Sequence, residues 1–237
     1  MGKNDRTEAV LFDLEDTLVQ TPWADHQHVI EFRRGTREKL LELGIPSSVL
    51  EGIERATMMR NKAIEYIEKN LTKADAEKIY QGMEKFLIRY ELDSAKKSKL
   101  FPETIPTLEK LRKLGIKMGL VTNTSMKAVD TVFQLHGLKM CFDVVVTREK
   151  VKKLKPDPEG ILLALKTLDA DSFFMVGDLV HDVSAAKSAK GISILVRRNS
   201  DEKIDFEADY VVHSLSEILN IVQARREKPY DCCREGC

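Results

Sequence analysis

Short continuous apolar runs alternate with longer stretches in which apolar residues recur periodically. The runs are residues 9–12, 118–121, 144–146, 173–176, 192–196 and 210–212. None alternates apolar with polar positions, so each reads as a strand buried on both faces, as in a parallel sheet. Between the runs the pattern is helical. Ile105, Leu108, Leu111 and Leu114 recur every three residues and Gly115 stops that helix. Ser125 is a good cap for a second helix that reaches Leu135 and ends at Gly137. Residues 161–168, 183–189 and 215–224 mark three more. Strand and helix in this order predict an α/β fold, a doubly wound parallel sheet of Rossmann-like type.

One stretch breaks the rhythm. From Gln20 to Lys97 there is no strand-like run. Ile79, Met83, Phe86, Leu87 and Tyr90 fall on one helical face, and Ala63, Ile64 and Ile67 mark an earlier helix. Gly44-Ile45-Pro46 and Leu71-Thr72 read as breaks between helices. The expected organisation is a core of residues 1–19 and 98–237 with an all-helical insert over 20–97. Residues 96–99, before Pro102, form the return linker.

Composition narrows the possible partners. The chain has 237 residues and is 43% apolar, enough for one large core or a core plus an insert. Thirty-eight basic residues balance 38 acidic ones, so no net field is present to attract nucleic acid or an anionic membrane. Neither is expected as a partner. Charged residues make up 32%, above the usual quarter or so, which suits a heat-adapted source or simply a very soluble surface. Residues 1–8 are polar with no signal-peptide run, and no apolar stretch is long enough to span a bilayer, so a cytoplasmic location is expected. Cys141 sits beside an apolar strand and reads as a small buried hydrophobe. Cys232, Cys233 and Cys237 crowd the last six residues; three thiols do not complete a structural zinc site, and a frayed tail is the expectation.

The chemistry lies at the strand ends, where open parallel sheets bind ligands. Asp13 and Glu15 follow the first run, Thr122 follows the second, and Asp178 follows Gly177. Asp182 lies one helical turn further on, and Lys155 precedes a helix in Lys155-Pro156-Asp157-Pro158. Carboxylates gathered in one crevice repel unless a cation joins them. Mg²⁺ typically takes one or two carboxylates together with phosphate and water. With a lysine beside it, such a site suits a phosphoryl group, whose transfer needs positioning and charge neutralisation. A carboxylate can itself be the nucleophile.

These residues resemble the four motifs of the haloacid-dehalogenase-like hydrolases. Phe12-Asp13-Leu14-Glu15-Asp16-Thr17-Leu18 is similar to the first, usually DxDGT. Val121-Thr122-Asn123 resembles the second, Lys155-Pro156-Asp157-Pro158 the third, and Gly177-Asp178-Leu179-Val180-His181-Asp182 the fourth. Their order, and the insert after the first, resemble the helical-cap subfamily typified by phosphoglycolate phosphatases.

The resemblance implies a Mg²⁺-dependent phosphomonoesterase acting on a small phosphorylated metabolite, as a monomer or homodimer. Asp13 attacks phosphorus. Glu15 is the acid/base and gives its main-chain carbonyl to the metal. Thr122 holds a phosphoryl oxygen with help from Asn123. Lys155 offsets charge and contacts the phosphoryl group. Asp178 binds Mg²⁺, and Asp182 supports the metal site or orients Lys155. Glu15 departs from the family, which has aspartate there. Asp16 replaces a glycine that the family often varies and is given little weight.

Other residues take plainer expectations. His181 reads as a solvent-facing neighbour. Trp23, His26, His28, Arg33 and Arg34 read as helix surface with one buried tryptophan. Two alternative functions remain open. A 2-haloacid dehalogenase would use the same aspartate without metal or an acid at residue 15, and a low-activity scaffold would have a binding or regulatory role.

Overall fold

A computed structural model describes residues 8–22, 26–198 and 207–227. Among these, six strands form one parallel sheet: β1 (Glu8–Phe12), β4 (Lys117–Val121), β5 (Val144–Val146), β6 (Ser172–Gly177), β7 (Ile192–Val196) and β8 (Tyr210–Val212). Their order across the sheet is β5-β4-β1-β6-β7-β8. The chain winds outward from β1 in one direction and then, from β6, in the other, which is the doubly wound arrangement expected. The reversal lies between β1 and β6, paired Phe12 to Val176, so the crevice opens beyond the ends of those two strands.

Two-sided burial explains why the strands read as unbroken apolar runs. Val10, Phe12, Met118, Leu120, Phe174 and Val176 face one core. That core is shared with α4 (Thr104–Lys113), α5 (Met126–His136) and α8 (Ile218–Glu227). Ala9, Leu11, Phe173 and Met175 point the other way, towards α6 (Glu159–Leu168) and α7 (Val180–Ser188). Ser125 caps α5 by accepting from the Ala128 amide, and Gly137 ends it with φ 70°. The run at 210–212 differs from its sequence reading. Tyr210 and Val211 are exposed, because β8 is an edge strand with only β7 beside it.

Residues between the first two core strands form α1 (His26–Glu42), α2 (Ala56–Asn70) and α3 (Lys73–Lys97). They share a separate apolar cluster built on Leu40, Ile45, Met59, Ala63, Ile67, Met83 and Leu87. The supposed return linker is more ordered than a loop. Lys96 and Lys97 complete α3, and β3 (Lys99–Leu100) pairs antiparallel with β2 (Val19–Gln20). The two chain crossings are thereby zipped together at their base. No described helix is long and apolar enough to cross a membrane. Cys232, Cys233 and Cys237 lie outside the described residues. Cys141 is half-buried and free, its thiol pushed up by burial.

Candidate active site

Asp13 is the first residue beyond β1. Its amide still bonds to the Val176 carbonyl at 2.8 Å, so the sheet fixes its backbone. The following turn is anchored by buried Leu14 and Leu18. Asp16 sits in the left-handed region at φ 54°. Glycine favours that conformation, and aspartate tolerates it better than most residues do. Its carboxylate accepts from the Thr21 amide at 2.8 Å and the Thr21 hydroxyl at 3.1 Å. Arg198, just past β7, donates to the Asp16 carbonyl at 2.8 Å and the Thr17 carbonyl at 2.9 Å. Its guanidinium lies 3.4 Å from the centroid of the Phe101 ring and pairs with Glu103 at 3.0 Å. Asp16 thus has a structural part that the sequence reading did not give it.

Lys155 is buried and makes three bonds through Nζ: to Asp13 Oδ1 at 2.7 Å, Asp182 Oδ1 at 2.6 Å and the Val121 carbonyl at 2.7 Å. Burial opposes its charge, but Asp13 and Asp182 outweigh it and raise its pKa. Asn123 brackets the same residue, donating to the Lys155 carbonyl at 3.1 Å and accepting from its amide at 2.9 Å. Its side-chain amide thus holds the lysine loop. Asp182 Oδ2 accepts from the Leu179 amide at 3.1 Å, which complements the start of α7. Gly177 makes room for this aspartate, since a Cβ at 177 would run into the Asp182 carboxyl group.

Oxygen atoms of Asp13, Asp178 and Asp182 all lie within 4.8 Å of one another. Lys155 touches two of the three, and Asp178 accepts from the Thr17 hydroxyl at 3.3 Å. Burial raises the Asp13 pKa to about 6; Lys155 pulls it down and Asp182 pushes it up. Burial, then Asp182 and Asp13, holds the Asp178 carboxyl well above the usual carboxylate range. This crowding of two buried acids and one half-buried acid is the setting in which a hard divalent cation is favourable, and the all-oxygen donor set fits Mg²⁺. Glu15 lies outside the cluster, its Oε2 accepting from the Thr124 hydroxyl at 2.7 Å. Thr122 is buried beside the same cavity.

That cavity measures about 760 Å³. Its far wall comes from the helical segment, with Phe32 and Arg33 of α1, Arg55 and Thr57 at the start of α2, and Leu87 and Glu91 of α3. Arg33 therefore faces the cavity, contrary to its reading as helix surface, whereas Arg34 is exposed and lies 3.8 Å from Glu38. His28 packs against the Tyr90 ring at 6.3 Å. Trp23 and the side chain of His26 lie outside the described residues. His181 is likewise a wall residue rather than a solvent-facing one, 3.1 Å from Arg55 Nη1. Burial, and then the Arg55 charge, lowers its pKa to about 4, so the neutral ring accepts from the arginine.

The family model for haloacid dehalogenase-like hydrolases matches residues 7–190. The chain belongs to that family. The hydrolase is 29% identical, over 92% of its own length and 97% of the relative's, to N-acetylmuramic acid 6-phosphate phosphatase of Pseudomonas putida. It is 37% identical to pyrophosphatase PpaX of Bacillus velezensis over 121 residues, covering 48% of this chain and 56% of the relative. Among solved structures, a haloacid-dehalogenase-type phosphatase from Thermococcus onnurineus is 30% identical with TM-score 0.58, covering 91% of this chain and 98% of that one. A 2-haloacid dehalogenase from Pseudomonas syringae, 24% identical with TM-score 0.56 over 92% of this chain and 99% of that one, shares the fold. The hydrolase is of phosphatase type.

Lys155 gives a first prediction for this hydrolase. Lys155→Ala removes the cation between Asp13 and Asp182. Turnover is expected to fall about 10²-fold through lost electrostatic stabilisation. Stability at pH 7 should drop by on the order of 3 kcal/mol, because buried carboxylates lose their partner. Without the Lys155 charge that pulls it down, the Asp13 pKa rises above about 6 in the variant, so the deficit should shrink as pH falls. Steady-state kinetics and denaturant melts at pH 5 and pH 7.5 measure both effects. A turnover change below about threefold would assign the work to another base.

Proposed function

We propose that the protein is a Mg²⁺-dependent phosphomonoesterase that works through a phospho-aspartate on Asp13 and acts on a small phosphorylated metabolite. The observation that carries the reading is the buried Asp13–Lys155–Asp182 arrangement beside Asp178, at the switch point of the sheet. Asp13, Asp178 and the main-chain carbonyl of residue 15 would hold the metal, with Asp182 supporting it while orienting Lys155. Bound there, Mg²⁺ supplies positive charge against the phosphoryl oxygens and the nucleophile.

The protein's own groups account for the remaining chemistry. An Asp13 carboxylate oxygen forms the new bond to phosphorus as the ester P–O bond breaks, and Glu15 delivers its proton to the departing alkoxide. Glu15, now ionised, takes a proton from water, which attacks the acyl phosphate and releases inorganic phosphate and Asp13. Lys155 and the Thr122 hydroxyl hold phosphoryl oxygens throughout. We further infer that residues 20–97 are a cap, since they form the far wall of the cavity and are joined to the core by the β2–β3 pair. Such a lid excludes water and bulky substrates. Both relatives are named for cleaving compact phosphorylated compounds, which supports the same class here.

The test pairs binding with turnover. Mg²⁺ at about 100 times its Kd should raise Tm at pH 7.5 by about 5 °C. The increase should be smaller at pH 5, because protons compete for Asp13, whose pKa is near 6. An aryl phosphate should be hydrolysed in Mg²⁺ and not in excess chelator. Equal hydrolysis in chelator would sink the metal's role. Metal-independent chloride release from 2-chloropropionate would establish the dehalogenase instead.

A further inference from the structure

The second motif is followed by a small buried network that none of the assigned roles uses. Thr124, two residues beyond Thr122, donates its hydroxyl to Glu15 Oε2 at 2.7 Å. Glutamate is one methylene longer than the aspartate usual at this position, and the hydroxyl of residue 124 meets its carboxylate. The carbonyl of Thr124 accepts from the Arg148 amide at 3.1 Å. Ser125, which caps α5, donates its amide to Glu91 Oε2 at 3.1 Å. Glu91 belongs to α3, so the helical segment reaches the loop directly.

Arg148 closes the network. It directly follows Thr147, the residue after β5, and is 1% exposed, which is rare for arginine. Its Nη1 pairs with Glu91, and its Nε donates to both Glu84 oxygens at 3.1 and 2.9 Å. Burial opposes its charge, but Glu91 and Glu84 raise its pKa, so it stays cationic. Two α3 carboxylates thus converge on one core guanidinium whose backbone holds Thr124. A buried ion pair is weak evidence for stability, because an apolar trio of the same shape would often serve as well. The guanidinium fork does something an apolar contact could not, since it fixes a direction for the loop that carries the Thr122 and Thr124 hydroxyls.

We propose that Arg148 is a positioning residue. With Glu91 it locks loop 122–125 against α3 so that Thr124 holds the Glu15 carboxylate in place. This rests on the acid/base role proposed for Glu15. Docking of the helical segment is then read at the acid/base through one loop, and a phosphatase with its helices undocked would keep its nucleophile but lose the aim of its proton donor.

The experiment uses the full chain with Arg148→Lys, which keeps the charge and loses the fork, Thr124→Val, Thr124→Ser and the Arg148→Lys/Thr124→Val double variant. Two readouts are taken. In saturating Mg²⁺ with an aryl phosphate, Arg148→Lys and Thr124→Val should each lower kcat about tenfold with KM changed less than threefold. The double variant should be no slower than the slower single, and Thr124→Ser should restore most of the rate. Independently of turnover, amide hydrogen exchange at residues 124 and 125 should quicken about tenfold in Arg148→Lys, while the amides of β1 and β6 stay protected.

Losses that multiply to about a hundredfold would overturn the proposal, as would Arg148→Lys within twofold of wild type. If wild-type protein turns over no phosphate ester, the functional reading fails by itself, and the exchange arm still decides whether Arg148 holds the loop. Unchanged exchange at residues 124 and 125 would show that it does not.

Discussion

Asp13→Asn is expected to lower phosphate-ester turnover below about a thousandth of wild type while the protein stays folded. The amide matches the carboxylate in shape, but it cannot form the acyl phosphate, and residues that act as one unit lose nearly everything when one is removed. The fold should survive because Lys155 keeps Asp182 at 2.6 Å and the Val121 carbonyl at 2.7 Å.

Stability should move in an unusual direction. Burial, only partly offset by Lys155, raises the Asp13 pKa to about 6, so the folded state holds that proton more tightly than the unfolded chain does. The stability this contributes is present at low pH and is lost as pH rises through 6. At pH 7.5 without metal, Asp13→Asn should therefore melt no lower than wild type. It should also lose most of the Mg²⁺-induced rise in Tm, because a charged ligand is gone. Kinetics in saturating Mg²⁺ together with thermal melts at pH 5 and pH 7.5 check the three effects at once. Residual turnover above about a hundredth would mean that another group attacks phosphorus.

The residues of this prediction were visible in the sequence, and the reason is topological. A parallel sheet buried on both faces writes its strands as unbroken apolar runs, and a polar residue at the end of a run stands at the mouth of the crevice. Asp13 after residues 9–12, Thr122 after 118–121 and Asp178 after Gly177 are all of this kind. Lys155 was legible as the lysine of a loop before a helix, but nothing local marks such a lysine as buried. The edge position of β8 was hidden because Tyr210–Val212 is too short to show a pattern.

The supporting residues were hidden for another reason. Thr124 and Glu15 are 109 positions apart, and Arg148 and Glu91 are 57 apart. Arg148 lies in a strongly basic stretch and Glu91 on a helix rich in charge, so each reads locally as solvated surface. Burial turns them into a network, and burial at long range is set by how α3 lies on α5 and the loop before it. Asp16 was given little weight, although its place carried a signal. A position where glycine is common predicts a left-handed backbone, and φ 54° follows that rule with an aspartate whose carboxylate then ties down Thr21.

Glu15→Gln should lower turnover about 10³-fold, since an amide cannot give a proton to the leaving oxygen or take one from water. Glu15→Asp is the more informative variant. Shortening the side chain withdraws the carboxylate by on the order of 1 Å, and an error of that size can cost about 10²-fold in rate. The Thr124 hydroxyl now holds Glu15 Oε2 at 2.7 Å, which is evidence that the loop has settled around glutamate. Aspartate loses that grip but restores the reach usual in the family, and the two effects oppose each other. The net change is therefore expected to stay below about tenfold, with little effect on KM because neither side chain is asked to bind the ground state. Steady-state turnover of both variants on one substrate, with Mg²⁺ saturating, makes the comparison. If Glu15→Gln matches wild type, residue 15 is not the acid/base. If Glu15→Asp gains more than about tenfold, Thr124 holds the glutamate in an unproductive position, and the native protein is a slowed phosphatase in which binding or regulation takes precedence over turnover.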